Sequence, residues 1–242
     1  MCSGRPRSEP LYRRVIIELS GEMFKGEEPP IDLGFLERVA DVLIEIRQMG
    51  VQLGVVVGGG NIWRGSQRVE IDRAVSDQIG MLATLVNGAA LAQLLRQKGV
   101  EVTLYNPIEI PRIAVNLPPS ELRGRMERGE IIVFSGGTGN PFFTTDTGAV
   151  LRALEVGAEA VLKGTKVDGL YSDDPFSNPH AEKIDELSCY EALKLRPGVM
   201  DLTAFALAAG SWLDIIIFRL LPLENMIKAV TGEPIGTKVR GR

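Results

Sequence analysis

Ile131 to Phe134, then Gly136-Gly-Thr-Gly-Asn-Pro-Phe-Phe-Thr-Thr-Asp146, then Thr147 to Val156 read in turn as a buried strand, a glycine-rich loop and a helix. Gly136, Gly137 and Gly139 let the backbone turn through positive φ and come close to a ligand. Thr144, Thr145 and the free N–H groups of the following helix then face that ligand, an arrangement suited to an anion such as phosphate. A plain loop with an ordinary Thr cap is the other reading of a glycine pair ahead of a helix.

Outward from this unit, short β-rich apolar runs alternate with amphipathic helical stretches, with no internal repeat or low-complexity linker. Strands are predicted over Arg14 to Leu19, Gln52 to Val57, Glu101 to Tyr105, Glu130 to Phe134, Ala160 to Lys163 and Asp214 to Phe218. Several are apolar on both faces, as a parallel sheet covered by helices on both sides requires. Asp32 stands where an N-cap belongs and Gly50 where that helix should stop, with Leu33, Leu36, Val39, Ala40, Leu43, Ile44 and Ile46 at helical spacing between them. Further helices are predicted over Val69 to Lys98, Thr147 to Val156, Cys189 to Leu195, Val199 to Ala209 and Leu223 to Val230, with a lid-like irregular region between Pro107 and Pro119.

The chain has 242 residues, 45% hydrophobic and 24% charged, enough to bury a core as one domain, and its net charge of −4 offers no basic surface for nucleic acid or membrane. No apolar run reaches the roughly 18 residues of a membrane span. Residues 1–11 read as a disordered polar tail without a signal-peptide core, and 12–242 as the single domain. Cys2 and Cys189 make no disulfide framework, which suits a reducing cytoplasm. His180, the single histidine, lies in a polar Asn-Pro-His-Ala loop, which argues against histidine chemistry.

Two more glycine turns follow predicted strands: Leu19-Ser20-Gly21-Glu22, and Gly58-Gly59-Gly60-Asn61-Ile62-Trp63-Arg64-Gly65. In open α/β sheets the carboxyl ends of the strands are where ligands bind. Arg64 can offer a planar cation to a phosphoryl group, or simply be solvated beside a packing turn. A fourth loop, Lys163-Gly-Thr-Lys-Val-Asp-Gly169 with Leu170-Tyr-Ser-Asp-Asp-Pro175, runs from a strand into a carboxylate-rich turn.

Taken in order, Leu-Ser-Gly-Glu, GGGNIWRG, Asp77 in DQIGMLATLVNG, GGTGNPFFTTD, KGTKVDGLYSDDP and Val199-Met-Asp-Leu resemble the motif set of bacterial uridylate kinases, within the amino acid kinase superfamily, over residues 12 to 239. The resemblance implies an α/β fold, a three-layer αβα sandwich with a mainly parallel central sheet, and phosphoryl transfer from ATP with Mg²⁺ to UMP. It also implies a homohexamer under allosteric nucleotide control. It would place the acceptor nucleotide in about residues 12–160 and the ATP donor in about 161–242. On it, Gly59, Asp77, Thr138, Gly139, Asn140, Pro141, Phe142, Phe143, Thr144 and Thr145 would hold UMP. Glu18, Leu19, Ser20, Gly21, Gly60, Arg64, Thr165, Tyr171 and Asp174 would hold ATP. Asp77 could set specificity by accepting bonds from ribose or base, or be a solvated face residue of its helix.

Such a transfer needs in-line positioning and charge stabilisation, with the UMP phosphate itself as nucleophile. Arg64, Asp146 and Asp201 are the catalytic candidates. Arg64 would stabilise the moving group, while the two aspartates would orient Mg²⁺ or basic side chains, or else cap helices. One departure stands out: Glu18 occupies the position where the family pattern has lysine. A carboxylate roughly 5 Å from a phosphate, at an effective dielectric near 20, costs about 3 kcal/mol. Glu18 could swing away, pair with Lys163 or Lys166, or ligate Mg²⁺. Met23 to Pro30 is also one residue shorter than the family pattern, and Asp214 and Arg219 replace a more usual Pro and Asn. Two other readings fit such a fold: a kinase acting on a carboxylate or carbamate, and a non-catalytic binding or storage protein.

Overall fold

Runs such as Val-Ile-Ile and Leu-Gly-Val-Val-Val favour extended backbone because β-branched side chains pack well on a pleated surface. The computed structural model describes residues 9–25, 30–64, 70–173, 177–178 and 180–242. Its strands, in chain order, are β1 (Arg14–Leu19), β2 (Gln52–Val57), β3 (Val102–Tyr105), β4 (Ile131–Phe134), β5 (Ala160–Thr165), β6 (Leu170–Tyr171), β7 (Lys183–Ile184), β8 (Glu186–Ser188), β9 (Asp214–Arg219) and β10 (Gly236–Arg240). Eight form one sheet in the order β3-β4-β2-β1-β5-β9-β10-β8, while β6 and β7 pair as a separate hairpin. Every neighbouring pair in the large sheet is parallel except β9 with β10.

Alternation along each strand feeds two cores. Val15, Ile17 and Leu19 of β1 enter one and Ile16 the other; Ile216 and Phe218 of β9 join the first, Ile215 and Ile217 the second. The first core is closed by α2 (Leu33–Gln48), α3 (Arg73–Gln97) and α8 (Asn225–Val230) through Leu36, Leu43, Leu91, Leu95 and Met226. The second is closed by α4 (Pro119–Glu127), α5 (Thr145–Val156), α6 (Cys189–Leu195) and α7 (Leu202–Ala208) through Met126, Val150, Ala192 and Phe205. Each fully buried aliphatic side chain contributes about 1.5–3 kcal/mol, so the sandwich rests on both layers. A single turn, α1 (Gly21–Phe24), follows β1 directly.

Helix ends follow their signals. The Asp32 carboxylate accepts from Phe35 N at 2.8 Å, and Gly50 follows α2 at φ 88°. Asp72 caps α3 by accepting from Val75 N, so that helix begins at Arg73; Val69, its expected start, lies outside the described residues. The helix expected from Val199 starts at Leu202, because Asp201 is its cap. The helix expected from Leu223 starts at Asn225. Strands β6, β7, β8 and β10, helix α4 and the single turn α1 were not foreseen. Between Pro107 and Pro119 the chain doubles back along β3, with Asn106 N bonded to Val115 O and Val115 N to Leu104 O. Leu11 N bonds Val230 O, while the tail up to Ser8 lies outside the described residues. Asp214, unexplained by sequence, accepts from Tyr12 OH at 3.3 Å and pairs with Lys238 at 2.8 Å.

Helix α3 is long and apolar enough, by length and composition, to cross a membrane, and half of its most apolar window is buried inside the molecule. Leu85, Leu91 and Leu95 supply much of that apolarity and pack in the first core.

Candidate active site

β2 lies on one side of β1 and β5 on the other, so the chain changes direction across the sheet between β1 and β5. The carboxyl ends of strands at such a point form a natural crevice. Here the turn after β1 and the turn after β2 interlock. A Cβ on Gly21 would lie 2.8 Å from Gly58 C and 2.9 Å from Gly59 C and overlap Gly60 N, so glycine at this position is what lets the two backbones touch. Buried Asn87 fixes the second turn by donating to Gly58 O at 2.7 Å and exchanging bonds with Asn61.

The loop after β4 closes the crevice. Gly136, Gly137 and Gly139 all have positive φ, at 74°, 54° and 82°, as the sequence predicts. Thr84 of α3 accepts from Gly136 N, and buried Arg152 of α5 donates to Gly137 O at 3.3 Å and Tyr105 OH at 3.1 Å from beneath. Thr144 caps α5 by accepting from Thr147 N. The result is a cavity of about 420 Å³.

Of the expected acceptor residues, Gly59, Asp77, Thr138, Asn140, Phe143, Thr144 and Thr145 line this cavity. Gly139, Pro141 and Phe142 do not; they shape the loop, Phe142 being exposed at φ 71°. Asp77 is no free face residue: its carboxylate accepts from Phe142 N at 2.9 Å and pairs with Arg73 at 2.9 Å.

Among the expected donor residues, Glu18, Ser20, Gly21, Gly60 and Arg64 line the same cavity. Leu19 does not: its side chain is in the first core and its carbonyl accepts from Gly58 N. Thr165 lies outside the cavity wall and turns its hydroxyl onto its own loop, donating to Val167 O at 2.7 Å. Tyr171 lines a separate cavity of about 450 Å³ with Val167, Gly169 and Leu195 to Val199, and donates to Asp168 at 3.0 Å. Asp174 lies outside the described residues. A third cavity, walled by Asp146, Arg196 and Gly198 to Leu202, shares Asp146 with the first and Arg196, Gly198 and Val199 with the second, so it neighbours both.

The catalytic candidates separate in role. Arg64, half-exposed, pairs with Glu22, which also holds Lys166 at 2.7 Å. Asp201 is a helix cap, accepting from Ala204 N at 2.9 Å, and also takes the hydroxyls of Thr144 and Thr147. Asp146 is not a cap: it accepts from Asp201 N at 2.9 Å and from Lys163 Nζ at 2.5 Å.

Glu18 is resolved too. It is register partner to Lys163 across β1 and β5, and the ammonium lies 3.2 Å from Glu18 Oε1. Both side chains are buried, and Glu18 Oε2 has no hydrogen-bond partner among the described residues. Burial first, then the Asp146 charge, raises the Glu18 carboxyl well above its ordinary range despite Lys163. Burial would also raise Asp146, but Lys163 and the bonds it accepts hold it below its ordinary value. Lys163 goes up: burial opposes its charge, and the two carboxylates outweigh burial. Glu18 is therefore the harder of the two acids to ionise, and Asp146 the firmer partner of the ammonium.

Lys163, Arg73, Trp63, Met81 and Thr84 also line the cavity and were not singled out as site residues from sequence. For Lys163 a signal existed: charges of opposite sign at matching positions of two otherwise apolar predicted strands.

A glycine-lined, cation-bearing cavity at the switch point of an αβα sandwich, with two further clefts beside it, defines a protein that handles phosphorylated ligands. The chain belongs to the amino acid kinase family, which residues 13–224 match. It is 41% identical over 237 residues to the uridylate kinase of Shewanella putrefaciens, covering 97% of each chain. It is 42% identical over 242 residues to that of Idiomarina loihiensis, covering 99% of this chain and 98% of the relative. The crystal structure of UMP kinase from Bacillus anthracis is similar with a TM-score of 0.89 at 32% identity, covering 95% of this chain and 96% of that one.

Proposed function

We infer that this chain transfers a phosphoryl group from ATP to UMP, giving ADP and UDP. The observation that carries the reading is the first cavity, lined by the Gly137–Asp146 loop and both interlocked glycine turns, with two neighbouring cavities that share wall residues in series. UMP occupies the first, its phosphate on the glycine loop and the N-terminus of α5. ATP extends from the Ser20–Gly21 and Gly60 turns toward Thr165 and Tyr171. Arg64 turns from Glu22 to the transferring group, where a guanidinium matches phosphoryl oxygens. Asp146 and Asp201 hold Lys163 and the helix termini in place. The repulsion that would favour a non-catalytic binding protein is relieved, since Glu18 faces Lys163.

Mg²⁺ enters with ATP, held chiefly by phosphates and water, as this ion usually is. Among the described residues no group of three or more His, Cys, Asp or Glu side chains could cage a metal. Residues 12–160 carry the acceptor half and 161–242 the donor half. The chain self-associates as a hexamer in the cytoplasm, with Val75, Leu82 and Val86, exposed along α3, as one contact face. Allosteric nucleotide control belongs to the same reading.

The test is coupled ADP release with Mg²⁺ and UMP, CMP, dCMP or acetylglutamate in turn. UMP is expected to turn over far better than the rest. Equal rates with CMP would remove the specificity assigned to Asp77 and the Phe142–Thr145 segment, and turnover of acetylglutamate would overturn the nucleotide reading.

A further inference from the structure

Three cations line the first cavity among the described residues, and they are not equivalent. Arg64 and Arg73 are half-exposed and tied to Glu22 and Asp77, whereas Lys163 is 7% exposed. Position on the sheet explains its depth: Lys163 sits opposite Glu18 near the carboxyl ends of the two strands at the switch point. Asp146, from the first turn of α5, grips it from the loop side at 2.5 Å. An ammonium carries three N–H donors. Glu18 Oε1 and Asp146 Oδ1 take two, and no other acceptor lies within bonding distance among the described residues. A buried positive charge with a spare donor, held rigidly on a cavity wall, acts on phosphoryl oxygens far more strongly than a screened surface arginine.

We propose that Lys163 is a catalytic residue, whose third N–H donates to a non-bridging oxygen of the phosphoryl group in transit. A UMP phosphate oxygen forms a bond to the γ-phosphorus as the bond to the β–γ bridging oxygen of ATP breaks. Lys163 keeps its proton throughout and neutralises charge on the moving group. The assignment rests on the UMP kinase reading above.

Asp146→Asn and the double variant Lys163→Met with Asp146→Asn isolate the ammonium. The first leaves Glu18 as the carboxyl facing the ammonium; the second removes the ammonium as well. Melting temperatures, kcat and the UMP KM are measured for both and for the wild type. The double variant is expected to turn over at least about 100-fold more slowly than Asp146→Asn, the loss typical of removing one transition-state donor, with KM for UMP within about threefold. Equal kcat values in two folded variants overturn the proposal. Should the double variant not fold, Lys163→Gln, whose amide still donates to Asp146, is assayed with the same expectation and the same refuting result. A wild-type chain inactive on UMP removes the substrate reading and this role together, whereas an active wild type with an equally active Lys163→Gln removes only this role.

Discussion

Two carboxylates around one buried ammonium lead to a non-additive stability cycle. At 3.2 Å and an effective dielectric near 20, Lys163 and an ionised Glu18 attract by about 5 kcal/mol before the cost of burying them. Asp146 lies closer, at 2.5 Å, and already carries the negative charge. Glu18→Gln therefore removes little, about 1 kcal/mol or less, because the amide oxygen can still accept from Lys163. Asp146→Asn is expected to cost about 1–2 kcal/mol, since Glu18 remains 3.2 Å from the ammonium as its partner, offset by burial of its own charge. The double variant leaves Lys163 buried without a carboxylate and should cost about 3–5 kcal/mol. The interaction energy is then about 1–3 kcal/mol beyond the sum of the singles. Urea unfolding at pH 7, with unchanged m-values, supplies all four corners. Additivity within about 0.5 kcal/mol would refute the shared-ammonium picture.

Folded Glu18 holds its proton above its ordinary value of 4.5, so the folded chain binds more protons than the unfolded one between that value and the raised one; the associated stability is full below about 4.5 and is lost as pH rises through the raised value, and Glu18→Gln should flatten the thermal-melt profile above about pH 4.5, a slope left intact in the variant counting against the assignment. Gly21→Ala should cost about 3 kcal/mol and abolish turnover, because its Cβ meets backbone 2.8 Å away at Gly58, whereas Gly50→Ala, strained only by φ 88° in open space, should cost about 1–2 kcal/mol and leave kinetics alone; equal melting temperatures for the two would contradict the interlocked turns. Light scattering at micromolar concentration should report a mass several times 26.3 kDa, and a stable monomer would remove Val75, Leu82 and Val86 as a contact face.

Strands β1, β2, β3, β4, β5 and β9 were legible because they are buried along nearly their whole length, so that apolar runs are little interrupted. Strand β10, Gly-Thr-Lys-Val-Arg, was not: it alternates polar with apolar residues near the sheet's edge and pairs antiparallel to β9, for which no local signal exists. Helix α4 was hidden by Pro118-Pro119, Gly124 and a largely charged surface, with Leu122 and Met126 its two fully buried side chains. The glycine turns and the Gly136–Asp146 loop were legible because backbone approach demands glycine. Roles inside the cavity were less so, since Asp77, Asp146 and Asp201 are the same residue type at helix starts and differ only in distant partners: Phe142 N, Lys163 and the Thr144–Thr147 hydroxyls. Lys163 itself was named only as a partner for Glu18, because strand register is a tertiary quantity.

Asp146 and Asp201 join two helix starts that are far apart in sequence. Asp201 N donates to Asp146 at the head of α5, while the Asp201 carboxylate caps α7 and takes the hydroxyls of Thr144 and Thr147. With three bonds across one seam, the heads of α5 and α7 are tied into a single block. Any closure that swings the Arg196–Asp201 segment over one ligand must drag the Gly136–Thr145 loop toward the other. A shift at one of these helix heads would thus be felt at the other, a mechanical link between the walls of two cavities.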